Sequence, residues 1–137
     1  MAWGGKLDAS VDVAPFVSAV MGDDVKACMA PLREHMALYI GGMGARGKNF
    51  YNDYVRRLGY GDAATRIQDL YLDGRKAEAA AAVPDELVDA CHLVGPADRI
   101  RSRARRWLDA GGRGEVGSML FGRTQPGVLE LLARTLR

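Results

Sequence analysis

Only two runs in this chain are rich in β-formers, and helical patterning fills most of the chain between them. The first run is Val11–Met21, where Val11, Val13, Phe16, Val17 and Val20 favour a strand. Pro15 sits inside it and cannot donate to a ladder, which weakens a central-strand reading. The second run is Val116–Phe121, bounded by Gly114 and Gly122. Two strands do not make a stable parallel sheet wrapped by many helices. The expected fold class is therefore α/β, mainly helical with about two parallel strands, and short of the strands that such a sheet needs.

The helices are marked by spacing and by their stops. Val25, Cys28, Met29, Leu32 and Met36 recur at helical intervals, so a helix is expected over about Asp24–Ile40. Asp24 is placed to cap it, and Pro31 should kink or break it. Gly41, Gly42 and Gly44 stop it. Phe50, Tyr54 and Leu58 mark one face of the next helix. Ala63, Ile67, Leu70 and Tyr71 mark another, with Asp62 as its expected cap. An alanine-rich stretch over Arg75–Val83 and a short helix after Pro84 follow. Gly95-Pro96 opens the clearest helix, with Ile100, Ala104, Trp107 and Leu108 as its apolar stripe. Pro126–Leu136 is the last, with Thr124 as its expected cap. Residues 1–10 read as loop.

Composition narrows the function classes. The 137 residues carry a net charge of +2, which calls for neither a nucleic acid nor an anionic membrane. No run approaches the ~20 apolar residues of a membrane span. The first residues lack the apolar core of a signal peptide. Cys28 and Cys91 lie far apart without metal-like spacing and read as reduced thiols. A cytoplasmic protein without a metal is the expectation.

Several motifs invite sharper readings. Gly42-Met43-Gly44-Ala45-Arg46-Gly47-Lys48-Asn49 approaches a phosphate-binding P-loop. However, Asn49 stands where the metal-binding hydroxyl belongs, and a helix precedes the loop where a strand is needed. A glycine-rich helix-to-helix connection is the better reading. Arg99, Arg101, Arg103, Arg105 and Arg106 fill the positions left free by the Ile100 stripe, as on a solvated amphipathic helix. His92 follows Cys91, but neighbouring helical residues point apart. Asp23 and Asp24 form a carboxylate pair for which helix capping is a sufficient role. Tyr39, Phe50, Tyr51, Tyr54, Tyr60 and Tyr71 are either core or the lining of a flat-ligand pocket.

The run Ala37-Leu38-Tyr39-Ile40-Gly41-Gly42-Met43-Gly44-Ala45-Arg46-Gly47-Lys48-Asn49-Phe50-Tyr51-Asn52 resembles a segment of the luciferase-like monooxygenase family. It is closest to that family's deazaflavin-dependent (coenzyme F-420) oxidoreductases. The similarity continues through Ile67–Leu72, Val83–Asp89 and Leu93–Ile100, and covers roughly residues 11–122. The resemblance implies the C-terminal portion of a (β/α)₈ TIM barrel over residues 1–137, since a whole barrel needs ~250 residues. In that frame Val11–Met21 resembles the seventh strand and Val116–Phe121 the eighth. Residues 45–92 resemble a helical insertion. The Gly111-to-Glu115 turn is longer and richer in glycine than the family's.

The resemblance also implies a chemistry. Members bind coenzyme F-420 or FMN at the C-terminal mouth of the barrel, with no metal, and transfer hydride to a small-molecule substrate or activate oxygen. Cofactor-binding candidates are the residues after the strands: Gly22, Asp23 and Asp24, then Gly122, Arg123 and Thr124, with Gly95 near the same rim. No catalytic residue carries over. The expected function is a fragment of a flavin- or deazaflavin-dependent oxidoreductase, inactive alone, that self-associates or pairs with a complementary barrel fragment. The alternative is a small helical interaction protein without enzymatic activity.

Overall fold

The computed structural model describes residues 11–137. The loop expected over residues 1–10, and the N-terminal reading that excluded a signal peptide, lie outside the described residues. The chain divides into two compact units, one of residues 1–28 with 91–137 and one of residues 29–90.

The first unit holds all the strands of the described residues. β1 (Phe16–Val17) and β2 (Ala19–Met21) are separated only by Ser18. β3 (Leu93–Gly95) and β4 (Leu120–Phe121) are equally short. β1 pairs in parallel with β4, Phe16 opposite Leu120 and Val17 opposite Phe121. β2 pairs in parallel with β3, Ala19 opposite Leu93 and Met21 opposite Gly95. The backbone groups alternate sides, as a strand's geometry requires. Carbonyls of Val13, Pro15 and Val17 accept from Gly117, Leu120 and Gly122, while the Ala19 N–H donates to Arg123. On the even-numbered side, the Ser18 carbonyl accepts from Leu93 and the Gly22 N–H donates to Gly95. Residues 16–21 thus form a central strand, with β4 along one edge and β3 along the other.

Two helices cover one face of this ribbon. α6 (Ala97–Gly112) and α7 (Pro126–Thr135) bury Ile100, Ala104, Val128 and Leu132 against Val17, Ala19 and Leu93. Val17, Ala19 and Met21 alternate onto that face. Phe16 and Leu120 point the other way and are 66% and 51% exposed.

The strand expectations need correction. The Val11–Met21 run is a strand only from Phe16 onward, and Val116–Phe121 only at its last two residues. Pro15 and the glycine-rich approach to Leu120 explain the shortening, because neither sustains a ladder. The two do pair in parallel, as expected. β3 was not anticipated: Leu93-Val94-Gly95 is too short to show periodicity. α6 also differs from its stripe, since Leu108 is 41% exposed and Trp107 only partly covered. Arg101 and Arg105 are exposed, but Arg99, Arg103 and Arg106 are half-buried.

The second unit is helical. α1 (Val25–Ala37) runs without a break through Pro31 and passes into a π-helical turn, Leu38–Gly42. α2 (Phe50–Arg57), α3 (Gly61–Leu72), α4 (Lys76–Ala81) and α5 (Asp85–Cys91) follow. α3 lies hard against the π-turn. A Cβ on Gly41 would meet Tyr71 Cβ at 2.5 Å, and one on Gly42 would meet the Tyr71 ring at 2.5 Å. Ala64 and Ile67 are fully buried beneath. The Arg33 guanidinium pairs with Asp85 within this unit. Asp62 does not cap α3; it lies in the first turn, and Tyr60 precedes the helix without a side-chain cap. Thr124 likewise does not cap α7, whose first turn begins at Pro126 after Gln125.

Candidate barrel-mouth site

Parallel strands gather their C-terminal ends on one side, and in α/β proteins ligands bind there. In the strand unit, these ends bring together the residues singled out from sequence: Gly22, Asp23 and Asp24 after β2, Gly95 at the end of β3, and Gly122, Arg123 and Thr124 after β4. The local roles of most are already set.

Gly95 has φ of +110°, a region L side chains rarely adopt, and a Cβ there would meet Arg99 Cδ at 2.8 Å and Val25 Cγ2 at 3.2 Å. Its carbonyl accepts from the Gly22 N–H at 3.1 Å. Asp24 caps α1, its Oδ1 accepting from the Ala27 N–H at 3.1 Å, as expected. Asp23 is exposed. Arg123 has an exposed side chain and uses its backbone in the sheet, with its N–H 3.4 Å from the Ser18 hydroxyl. Gly122 lies under the Phe16 ring, which would sit 2.3 Å from any Cβ added there. Thr124 is half-buried, its hydroxyl 3.5 Å from the Gln125 carbonyl.

Three further residues at or near this sheet were not among the expected site residues. Gln125 clamps the end of β2: its Oε1 accepts from the Met21 N–H at 2.9 Å and its Nε2 donates to the Met21 carbonyl at 3.4 Å. Arg99 Nη1 donates to the Val94 carbonyl at 2.7 Å. His92 Nδ1 accepts from the Ser18 N–H at 3.1 Å, continuing the β2–β3 ladder through a side chain. That bond requires an unprotonated Nδ1, so the imidazole acts as a backbone acceptor and not as a nucleophile's base. Cys91 is equally quiet. Burial pushes its thiol above the ordinary value, with the Arg106 guanidinium opposing more weakly. Reactive cysteines are shifted the other way. Both cysteines are free thiols.

The P-loop-like run is accounted for by packing in the helical unit. Asn49 caps α2, its Oδ1 accepting from the Asn52 N–H at 3.1 Å. Its Nδ2 donates to the carbonyls of Tyr39 and Ile40 at 3.0 and 3.1 Å. Asn52 donates to Ile40 and Ala64, and accepts from Arg56 Nε. Both amides are nearly fully buried, and they satisfy carbonyls in and near the π-turn. A Cβ on Gly44 would stand 2.3 Å from the Lys48 carbonyl, so the glycine permits a close turn. Arg46 pairs with Asp69 at 2.8 Å. The capping signal was legible as Asn ahead of an aromatic-rich helix; the carbonyls it serves were not.

The aromatic cluster divides: Tyr39, Tyr60 and Tyr71 are half-buried, and the others are not core. Phe50 is 71% exposed, and Tyr51 and Tyr54 are also exposed, with Phe50 and Tyr54 stacked at 6.4 Å. Tyr39 meets Tyr51 edge-on at 4.7 Å. The helix instead buries Asn52 and Val55. In the strand unit, a wide apolar groove between Val13, Trp107, Met119, Leu129 and Leu136 lies toward the N-terminal ends of β1 and β4, away from the mouth. Among the described residues, no three His, Cys, Asp or Glu side chains converge as a metal site would require. No helix among them is long and apolar enough to cross a membrane.

Residues 2–114 match the family described as luciferase-like monooxygenase. Over 100 residues the chain is 40% identical to a Mycobacterium tuberculosis protein provisionally named as a coenzyme F-420-dependent oxidoreductase. The alignment covers 73% of this chain and 29% of the relative, so the chain spans well under half of the relative's length. No solved structure matches the chain. The family match stops short of β4 and α7, where the sequence resemblance had been expected to reach residue 122.

Proposed function

The chain belongs to the luciferase-like monooxygenase family, and on that premise we propose that it carries one part of a deazaflavin- or flavin-dependent oxidoreductase site that is incomplete without further strands. The observation behind this reading is the gathering of Gly22, Asp23, Asp24, Gly95, Gly122, Arg123 and Thr124 at the C-terminal ends of parallel strands. Coenzyme F-420 or FMN, when bound, supplies the hydride chemistry, or oxygen activation in the monooxygenase branch. The chain's share is positional. Arg123 offers an exposed guanidinium to an anionic cofactor tail. These residues fit one edge of a cofactor site and not its enclosure, because Asp23, Asp24 and Arg123 are exposed, Gly95 is buried, and the Met21 backbone is already engaged by Gln125. The two free thiols go with a reducing, cytoplasmic setting.

A barrel site is assembled from the ends of several strands, so losing most of them removes affinity and orientation together. The test is fluorescence or calorimetric titration of the purified chain with coenzyme F-420 and with FMN. It is run on the chain alone and on the chain mixed with a polypeptide carrying the remaining strands. Binding and reductase activity only in the mixture is the expected result. Micromolar binding by the chain alone overturns the incomplete-site reading.

A further inference from the structure

The order of the strands is not the order of a sequential barrel. In a (β/α)₈ barrel each strand lies beside the one before it and the one after it in the chain. Here β3 takes the even-numbered edge of residues 16–21, as the next strand should. β4 follows β3 by way of α6, and a barrel would place it on the far side of β3. Instead it lies on the odd-numbered edge of residues 16–21, the edge that belongs to the strand preceding β1.

The occupation is thorough. Val13, Pro15, Val17 and Ala19 all spend their backbone groups on Gly117, Leu120, Gly122 and Arg123, at 2.8–3.1 Å. The Ser118 hydroxyl donates to Asp12 at 2.9 Å, extending the contact upstream. α7 then lays Val128 and Leu132, both essentially unexposed, into the core under Val17 and Ala19. β4 and α7 are also the elements that lie beyond the family match, which ends at residue 114.

We propose that residues 115–137 are a strap that takes the place of a barrel strand on the edge of β1, closing the strand unit and excluding an incoming parallel strand until the strap is released. The proposal rests on the family reading for what the displaced strand would be. Its physical content stands apart from any cofactor. An unpaired edge recruits other strands, and the strap satisfies that edge from within the chain. The outward face remains open, with Phe16 and Leu120 exposed, whereas parallel sheets are normally covered on both faces.

The experiment compares the full chain with Leu120→Pro. Leu120 is exposed on the open face, so the substitution removes the N–H that donates to Pro15 without emptying the core. Hydrogen exchange read by NMR should show the amides of Ala19 and Gly122, donors that remain on that edge, exchanging together and at least tenfold faster in the variant. Those of Gly22 and Leu93, on the other edge, should be unchanged. The probe for release is the part of the Mycobacterium tuberculosis relative outside the 100 aligned residues, and it should bind the variant at least tenfold more tightly than the unaltered chain. Exchange of both edges in one step in the unaltered chain overturns the proposal. So does equal binding of the probe to both chains, or binding to neither. Because exchange needs no cofactor, failure of the strap and failure of the oxidoreductase reading are distinguishable.

Discussion

The two units are held together by different means. In the strand unit, aliphatic side chains from segments far apart in sequence meet on one sheet face: Val17, Ala19, Leu93, Ile100, Val128 and Leu132. In the helical unit, small residues allow close approach, and buried amides satisfy backbone groups. Gly41 and Gly42 admit Tyr71, while Asn49 and Asn52 serve the carbonyls of Tyr39, Ile40 and Ala64. The carbonyl partners of Asn52 lie 12 residues away, whereas Ser18 and His92 are 74 apart and Met21 and Gln125 are 104 apart. The contrast teaches that the strand unit is closed by burial across long separations, whereas the helical unit adds buried amide bonds over short ones to its own buried side chains, Leu32, Ile67, Leu87 and Val88 among them.

The largest effect should come from the strand unit. Ile100→Ala removes a fully buried side chain at the centre of the α6 contact and should cost about 3 kcal/mol, read by denaturant unfolding. If burial governs this unit, amides of β2 and β3 should lose protection along with those of α6. A cost below ~1 kcal/mol would break the comparison, because it would mean the sheet face does not depend on this packing.

Asn52→Leu sharpens the other side. The volume is nearly kept and the buried position becomes apolar, so a burial-driven unit would tolerate it. Instead, losing the bonds to Ile40, Ala64 and Arg56 should cost about 2–3 kcal/mol, at roughly 1 kcal/mol for each bond. A variant as stable as the parent would show that packing, and not the amide, organises the π-turn.

The smallest effect is expected at the surface of the same unit. The Arg46–Asp69 pair joins two side chains that are 64% and 53% exposed, so Arg46→Ala should change stability by less than ~1 kcal/mol and should matter less still in high salt. A larger loss would mean the glycine-rich turn depends on this pair and not on Gly44 and Asn49.

Legibility followed the same division. Helix positions came close throughout, because capping, periodicity and glycine stops act within a few residues. The Asp24 cap and the Pro126 start of α7 are examples. Where local signals failed, a tertiary demand had overridden them. The Phe50–Tyr54 face read as either core or pocket lining, yet the π-turn draws the opposite face inward to reach its carbonyls. Leu108 continued the α6 stripe by spacing, but α7 and the strands cover only the Ile100–Ala104 portion fully.

The sequence by itself determined the class of the chain, its shortage of strands, its family and the approximate positions of its helices. It also marked the ends of the strands where Gly22 to Asp24 and Gly122 to Thr124 gather, because β-former runs and their glycine terminators are local features. Only the tertiary structure decided that Leu93–Gly95 is a strand, that Gln125 and His92 complete the sheet with side chains, and that β4 lies beside β1 and not beyond β3. The physical reason is that a strand has no partner within itself. Its hydrogen bonds are made with whichever edge the rest of the fold leaves open, and three-residue segments carry too little pattern to announce which edge that will be.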